Sequence, residues 1–126
     1  MQFHKLKIEK KVLETLDTMT VYFKVPPDLK DVFEFKPGQY LTISEEIGGK
    51  EVRRSYSICT APYSGQLATT IKRVAGGNMS TFIHSNWHAE GEANVSEAEG
   101  KFILMANPLA KRKIYFIAAG SGITPI

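Results

Sequence analysis

Turn signals punctuate the first half of this chain so densely that only short extended segments fit between them. Glu14 to Thr18 is a polar turn, and Pro26-Pro27-Asp28 is a break. Pro37-Gly38 pairs a residue with preset φ with one that accepts positive φ. Ile47-Gly48-Gly49-Lys50 is a hairpin connection, and Ala61 to Gly65 is a further turn. The segments between them read as strands. Phe3 to Lys10 alternates imperfectly, and Met19 to Val25 is rich in β-branched and aromatic residues. Gln39 to Ser44, Glu51 to Cys59 and Gln66 to Val74 continue the series. Strands this close, joined by hairpin turns, predict a mainly β fold: a small antiparallel sheet or barrel rather than βαβ units.

Composition narrows the function. A chain of 126 residues with 43% hydrophobic content holds one compact core. The longest apolar run, Ile114 to Ala119, is too short to span a bilayer, so no membrane helix is expected. Met1 to Lys11 lacks the apolar stretch of a secretory leader, which predicts a cytoplasmic protein. The single Cys59 supplies neither a disulfide nor the thiolates of an iron–sulfur cluster. Sixteen basic against 13 acidic residues give a net charge of +3, short of the concentrated charge of a nucleic-acid binder.

One segment reads as a helix. Met79, Phe82, Ile83 and Trp87 form an apolar stripe, with Asn78 or Ser80 as candidate caps and Gly91 beyond the end. A weak strand follows near Ala93 to Glu97. Lys113 to Ala119 then reads as a strand buried on both faces, the kind found in a parallel α/β sheet. It runs directly into Gly120-Ser121-Gly122, where a helix is due. The pattern predicts a β-barrel with one capping helix over 1–107. Residues 108–126 would be the first strand of a truncated α/β nucleotide-binding domain belonging to a longer protein.

Two stretches carry chemistry. In Arg53-Arg54-Ser55-Tyr56-Ser57, strand periodicity puts Arg54 and Tyr56 on one face. Arg pairs bidentately with phosphate, and an aromatic ring beside it can lie on another ring. Spacing alone favours the plainer reading, a barrel strand with a solvated Arg and a Tyr partly in the core. Gly76-Gly77-Asn78-Met79-Ser80-Thr81 opens the helix, whose free N–H groups and positive dipole end favour an anion. Here too a loop with an ordinary cap is the plainer reading. Together the two suit a dinucleotide with a flat ring and a pyrophosphate.

Arg54-Ser55-Tyr56-Ser57 resembles the RxYS flavin motif of the ferredoxin–NADP⁺ reductase superfamily. Pro37-Gly38-Gln39-Tyr40, Ile71-Lys72-Arg73, Gly77-Asn78-Met79-Ser80 (GxxS) and Gly120-Ser121-Gly122-Ile123-Thr124-Pro125 (GxGxxP) resemble further motifs of that superfamily, in the same order. Within it, Gly-Asn-Met-Ser-Thr and Gly-Ser-Gly-Ile-Thr-Pro-Ile resemble oxygenase reductase components of the phenylacetyl-CoA epoxidase type.

The resemblance implies an FAD-binding domain of an NAD(P)H-dependent reductase. Electrons would leave through a 2Fe-2S cluster, on sequence beyond Ile126, to an oxygenase. It gives Arg54 the FAD pyrophosphate, with Ser55 in the same motif. Tyr56 would stack on the isoalloxazine and Ser57 would lie near its reactive edge, the two residues closest to the chemistry. Ile71, Lys72 and Arg73 would line the ribityl chain and pyrimidine edge. Gly77, Asn78, Met79 and Ser80 would hold the pyrophosphate, and Thr124 would approach the flavin from the other side. Gly120, Ser121 and Gly122 would begin the NAD(P) site. The chain departs from the family at Ala98, where proline is usual, and the segment from Gly91 is about one residue short.

Two rival readings stand beside this one. A reductase of the same superfamily with another electron acceptor shares these motifs. A non-catalytic β-barrel could instead stack bases on Tyr22, Phe35 and Tyr40. No metal site is expected: His84 and His88 lie at i, i+4 without an evident third ligand. Cys59 reads as an inert buried thiol, and Lys111-Arg112-Lys113 as solvated or as a docking patch for an acidic partner. An unpaired 113–119 strand predicts self-association, and the chain alone is expected to be inactive with NAD(P)H.

Overall fold

The computed structural model describes residues 1–126. The chain forms six strands, β1 (Phe3–Thr15), β2 (Thr18–Lys24), β3 (Tyr40–Ile47), β4 (Lys50–Ser57), β5 (Leu67–Lys72) and β6 (Glu92–Ser96), and one helix, α1 (Asn78–Asn86). The strands form a single sheet in the order β4-β3-β6-β1-β2-β5, antiparallel at every pairing. The edge strands meet at one bridge, Ile58 with Thr69. The sheet therefore curls into a barrel with an open seam between β4 and β5 rather than a continuous ladder.

Alternation explains the core. Leu6 and Ile8 of β1, Val21 and Phe23 of β2, and Leu41 and Ile43 of β3 point inward and are buried. Ala93 and Val95 of β6 join them. Helix α1 packs against β3 and β4 and sends Met79, Ile83 and Trp87 into the same cluster. The Trp87 ring meets Phe23 edge-on, with centroids 6.0 Å apart. The indole N–H donates to Glu45 Oε1 at 2.8 Å, which satisfies the polar end of a buried Trp.

Several boundaries differ from the sequence reading. Strand β1 continues to Thr15 because a bulge between Ile8 and Lys10 resets its alternation and lets pairing with β2 proceed. The cap of α1 is Gly77, with no side-chain hydrogen bond, rather than Asn78 or Ser80. The helix ends at Asn86, so His88 lies beyond it. Lys113 to Ala119 forms no strand: it is exposed and has no ladder partner. A parallel strand exists only through its neighbours' N–H and C=O groups, and here there are none to supply them.

Before β3 the chain turns tightly at Gly38, whose φ is +95°. A Cβ built there would lie 1.7 Å from the Phe102 carbonyl oxygen, so the turn and the segment after β6 pack backbone to backbone. Gly38→Ala is therefore expected to cost about 1–3 kcal/mol through its positive φ, with the 102–103 backbone displaced. Urea denaturation should show a lowered midpoint for Gly38→Ala and an unchanged one for Gly122→Ala, whose Cβ would meet open space. Equal midpoints would mean that neither the positive φ nor the contact with the 102–103 backbone holds at position 38.

Candidate functional site

The seam brings the two chemical stretches together. Counting back from the antiparallel Ile58–Thr69 bridge sets Tyr56 level with Ile71, and Arg54 level with Arg73. Arg73 leads through Val74 to Gly76 into α1, so β4, the end of β5 and the helix start border one opening.

Arg54 and Tyr56 do share a face. They pair with Ile43 and Leu41, two fully buried residues, and directly opposed side chains in a sheet point the same way. Arg54 is nonetheless exposed, because β5 does not cover this part of β4. Its Nη1 donates to the Arg53 carbonyl at 2.7 Å, and it makes no ion pair. Neighbouring Arg53 is engaged differently, bonded to Glu51 and lying over the Phe3 ring. Tyr56 is half-buried against the core. Burial pushes its phenol pKa up, and the Arg54 charge opposes that rise. Ser55 points to the opposite face, its hydroxyl 3.0 Å from Thr42 Oγ1. Ser57 is half-buried opposite Tyr40 at the end of β4.

Helix α1 presents an uncapped N-terminus. The backbone N–H groups of Asn78, Met79 and Ser80 have no acceptor in the protein. The first turn carries no acidic residue to neutralise the dipole. Ser80 is buried, and its Oγ accepts the Val74 N–H at 3.0 Å, so its own proton remains available to donate. Met79 is a core residue, and only its backbone faces this end of the helix. Gly77 is the tight point: a Cβ there would lie 2.9 Å from Ser80 Oγ and 3.0 Å from the Val74 carbonyl. A cation without an ion pair, three free N–H groups and a half-buried ring form a donor set suited to a pyrophosphate joined to a flat ring system.

Other anticipated residues are partly occupied. The Ile71 carbonyl accepts from His84 Nε2 at 3.0 Å, and the Arg73 N–H donates to the Asp17 carbonyl at 2.6 Å. Lys72 is exposed opposite Thr18. Thr124 donates to the Ser121 carbonyl within the 3-10 turn Gly120–Ile123, which contains Gly120, Ser121 and Gly122. Cys59 is half-buried between the Ala68 carbonyl and the Thr70 hydroxyl, and burial raises its pKa. His84 and His88 bond separate carbonyls, those of Ile71 and Ala89. A cleft of about 720 Å³ lies elsewhere, at the opposite end of β5 among Phe23, Phe35, Tyr63 and Leu67; of the residues named for base stacking it contains Phe35, and it contains none of those expected at the flavin.

Sequence reasoning missed Lys11. Its Nζ donates to the carbonyls of Ile83 and His84, each at 3.2 Å, and to that of Trp87. The broken alternation at Glu9-Lys10-Lys11 was the available signal.

Residues 5–103 match the oxidoreductase FAD-binding domain family. The chain belongs to that family. It is 35% identical over 124 residues to a component of the 1,2-phenylacetyl-CoA epoxidase of Escherichia coli (strain K12), across 98% of this chain and 35% of that protein. It is 38% identical over 126 residues to a glycine betaine monooxygenase reductase subunit of Pseudomonas aeruginosa (strain UCBPP-PA14), across 98% of this chain and 33% of that protein. The chain thus spans about a third of the length of these relatives. Its fold matches the ferredoxin reductase in carbazole 1,9a-dioxygenase with a TM-score of 0.80 at 24% identity, over 98% of this chain and 37% of that one.

The helix start yields a stability test. Ser80→Ala removes the acceptor of the Val74 N–H and should cost about 1 kcal/mol. Asn78→Ala, at an exposed side chain without a hydrogen bond, should stay within ~0.5 kcal/mol of the parent. Thermal melts of the two variants without added flavin read the difference. Equal melts would mean that Ser80 does not hold the loop.

Proposed function

We propose that this chain is the FAD-binding part of an NAD(P)H-dependent reductase that delivers electrons to an oxygenase component. The observation that carries the reading is the convergence of an unpaired Arg54, the half-buried Tyr56 and the free N–H groups of Asn78–Ser80 around one seam. Membership of the FAD-binding family supports the cofactor, and the names of the relatives support the oxygenase partner.

In this reading Arg54 neutralises the pyrophosphate, which the N–H groups at the start of α1 and the Ser80 hydroxyl hold. Gly77 keeps the approach open, because any Cβ there would press on Ser80 and Val74. Tyr56 provides the face on which the ring lies, and Ser57 borders its edge. Ser55, on the other face, acts through Thr42 on strand geometry rather than by contact. Ile71, Lys72 and Arg73 form the wall opposite β4, with the Ile71 carbonyl and the Arg73 N–H already engaged within the protein. FAD, once held, supplies the coupling of two-electron to one-electron transfer; the protein binds, orients and excludes water.

We assign 1–107 to the FAD module. Residues 108–126 are assigned to the beginning of an NAD(P) domain, with Gly120, Ser121 and Gly122 at the nucleotide site and Thr124 facing the flavin. A 2Fe-2S cluster, if the intact protein has one, resides on sequence outside this chain. The exposed Ile114, Tyr115, Phe116 and Ile117 support self-association of the chain through that segment. No helix is long and apolar enough to cross a membrane. This reading assigns a cytoplasmic location.

FAD titration tests the reading. A charge-assisted hydrogen bond is worth about 1.5–3 kcal/mol, and the exposure of Arg54 favours the lower figure. Arg54→Ala should therefore weaken FAD binding about tenfold, and Lys111→Ala should leave it unchanged. Equal dissociation constants for both variants, at low and high salt, would remove Arg54 from the site.

Tyr56→Phe should keep flavin affinity within ~3-fold of the parent, because the ring face survives, while Tyr56→Ala loosens the flavin and changes its fluorescence. Comparable losses in both variants would give the role to the hydroxyl rather than to stacking.

A further inference from the structure

Strand β1 carries a lysine where a core residue is due. Leu6 and Ile8 face the interior, and simple alternation would next bring Lys10 inward. The bulge between Ile8 and Lys10 shifts the phase by one residue. Lys10 turns outward and lies 4.5 Å over the Tyr22 ring. Lys11, opposite the fully buried Val21, turns inward. There its ammonium meets the carbonyls of Ile83, His84 and Trp87 at the end of α1. An ammonium has three donors, and all three are used on groups a helix C-terminus leaves unpaired. The cation also sits at the negative end of the helix dipole. Burial lowers the Lys11 pKa, as expected for a charge drawn out of water into this role.

The two ends of α1 are held unequally. The C-terminal half is tied to three strands: to β1 by Lys11, to β5 by His84, and to β3 by Trp87 on Glu45. The N-terminal end has no side-chain cap, and its polar ties, Ser80 Oγ accepting from the Val74 N–H and the Gly77 N–H donating to the Val74 carbonyl, reach only the adjoining loop. In a helix of nine residues, a shift at the anchored far end would redirect the N–H groups of Asn78, Met79 and Ser80.

We propose that Lys11 is a positioning residue for the anion end of the site: the β1 bulge aims its ammonium at the last carbonyls of α1, and this anchor fixes the direction of the free N–H groups at the first turn. The proposal rests on the FAD reading and adds to it a group that never touches the cofactor.

The test uses the full 126-residue chain and two readouts. One is the amide exchange rate of Val74, measured without FAD, because that N–H is bound by Ser80 at the helix end remote from Lys11. The other is the FAD dissociation constant. Lys11→Met is compared with Val95→Ala, a core variant on β6 that destabilises the barrel through a cavity. Beyond whatever Val95→Ala shows, Lys11→Met should accelerate Val74 exchange about tenfold and weaken FAD about tenfold, as loss of charge-assisted bonds to three carbonyls implies. Values no different from those of Val95→Ala overturn the proposal, as does faster Val74 exchange with unchanged FAD affinity. If Lys11→Met does not fold, Lys11→Gln, which removes the charge and keeps a shorter polar end, carries the same comparison. Arg54→Ala separates the two levels. If it weakens FAD while Lys11→Met does not, only the Lys11 inference fails. If neither weakens FAD, the site reading fails with it.

Discussion

Everything of chemical interest in this fold follows from where the sheet stops pairing with itself. Six antiparallel strands bring their outer members back together, and the contact lasts for one bridge, between Ile58 and Thr69. Past it β4 and β5 part. Had the ladder continued, Tyr56 would lie under β5 as an ordinary barrel residue, and Arg54 would need a buried partner, at several kcal/mol for an unpaired interior charge. The seam instead lets one face of β4 be core at one end and open to ligand at the other. Helix α1 packs against β3 and β4 beside this gap, and the amides of its first turn are unpaired.

The segment after β6 obeys a different rule. From Lys101 to Ala119 it has no regular structure, and Tyr115, Phe116 and Ile117 stand in solvent. These side chains have the composition of a sheet centre, and no sheet is present to receive them. The tight approach of Gly38 to Phe102 attaches the start of this segment to the barrel.

Much of the fold was legible because the relevant physics is local. Pro37-Gly38 and Gly48-Gly49 fix turns whatever lies around them, and the 3.6-residue stripe of Met79, Ile83 and Trp87 has one solution. Arg54 and Tyr56 could be placed on one face from periodicity alone. What stayed hidden depends on a phase shift or on distant partners. The β1 bulge moves one residue out of register, and nothing in the Lys10-Lys11 pair says which of the two turns inward. The cap of α1 escapes sequence reasoning because Ser80 spends its oxygen on Val74 rather than on its own helix. Lys113 to Ala119 looks like a strand because its residues suit one, yet strand formation is a property of a pair.

The position of β6 has a consequence for how the molecule comes together. Strands β1 and β2 form one hairpin and β3 and β4 another, each joined by near neighbours in sequence. The last strand of the chain lies between them, pairing Phe3 with Ser96 on one side and Ile43 with Val95 on the other. Two local hairpins can therefore form early, but no continuous sheet exists until Glu92 to Ser96 is in place. As the ribosome releases the chain, the barrel waits for this strand, across a loop closure of some 90 residues, which places its folding among slower, high-contact-order topologies. Until then the inner faces of both hairpins, Leu6 and Ile8 on one and Leu41 and Ile43 on the other, are unshielded.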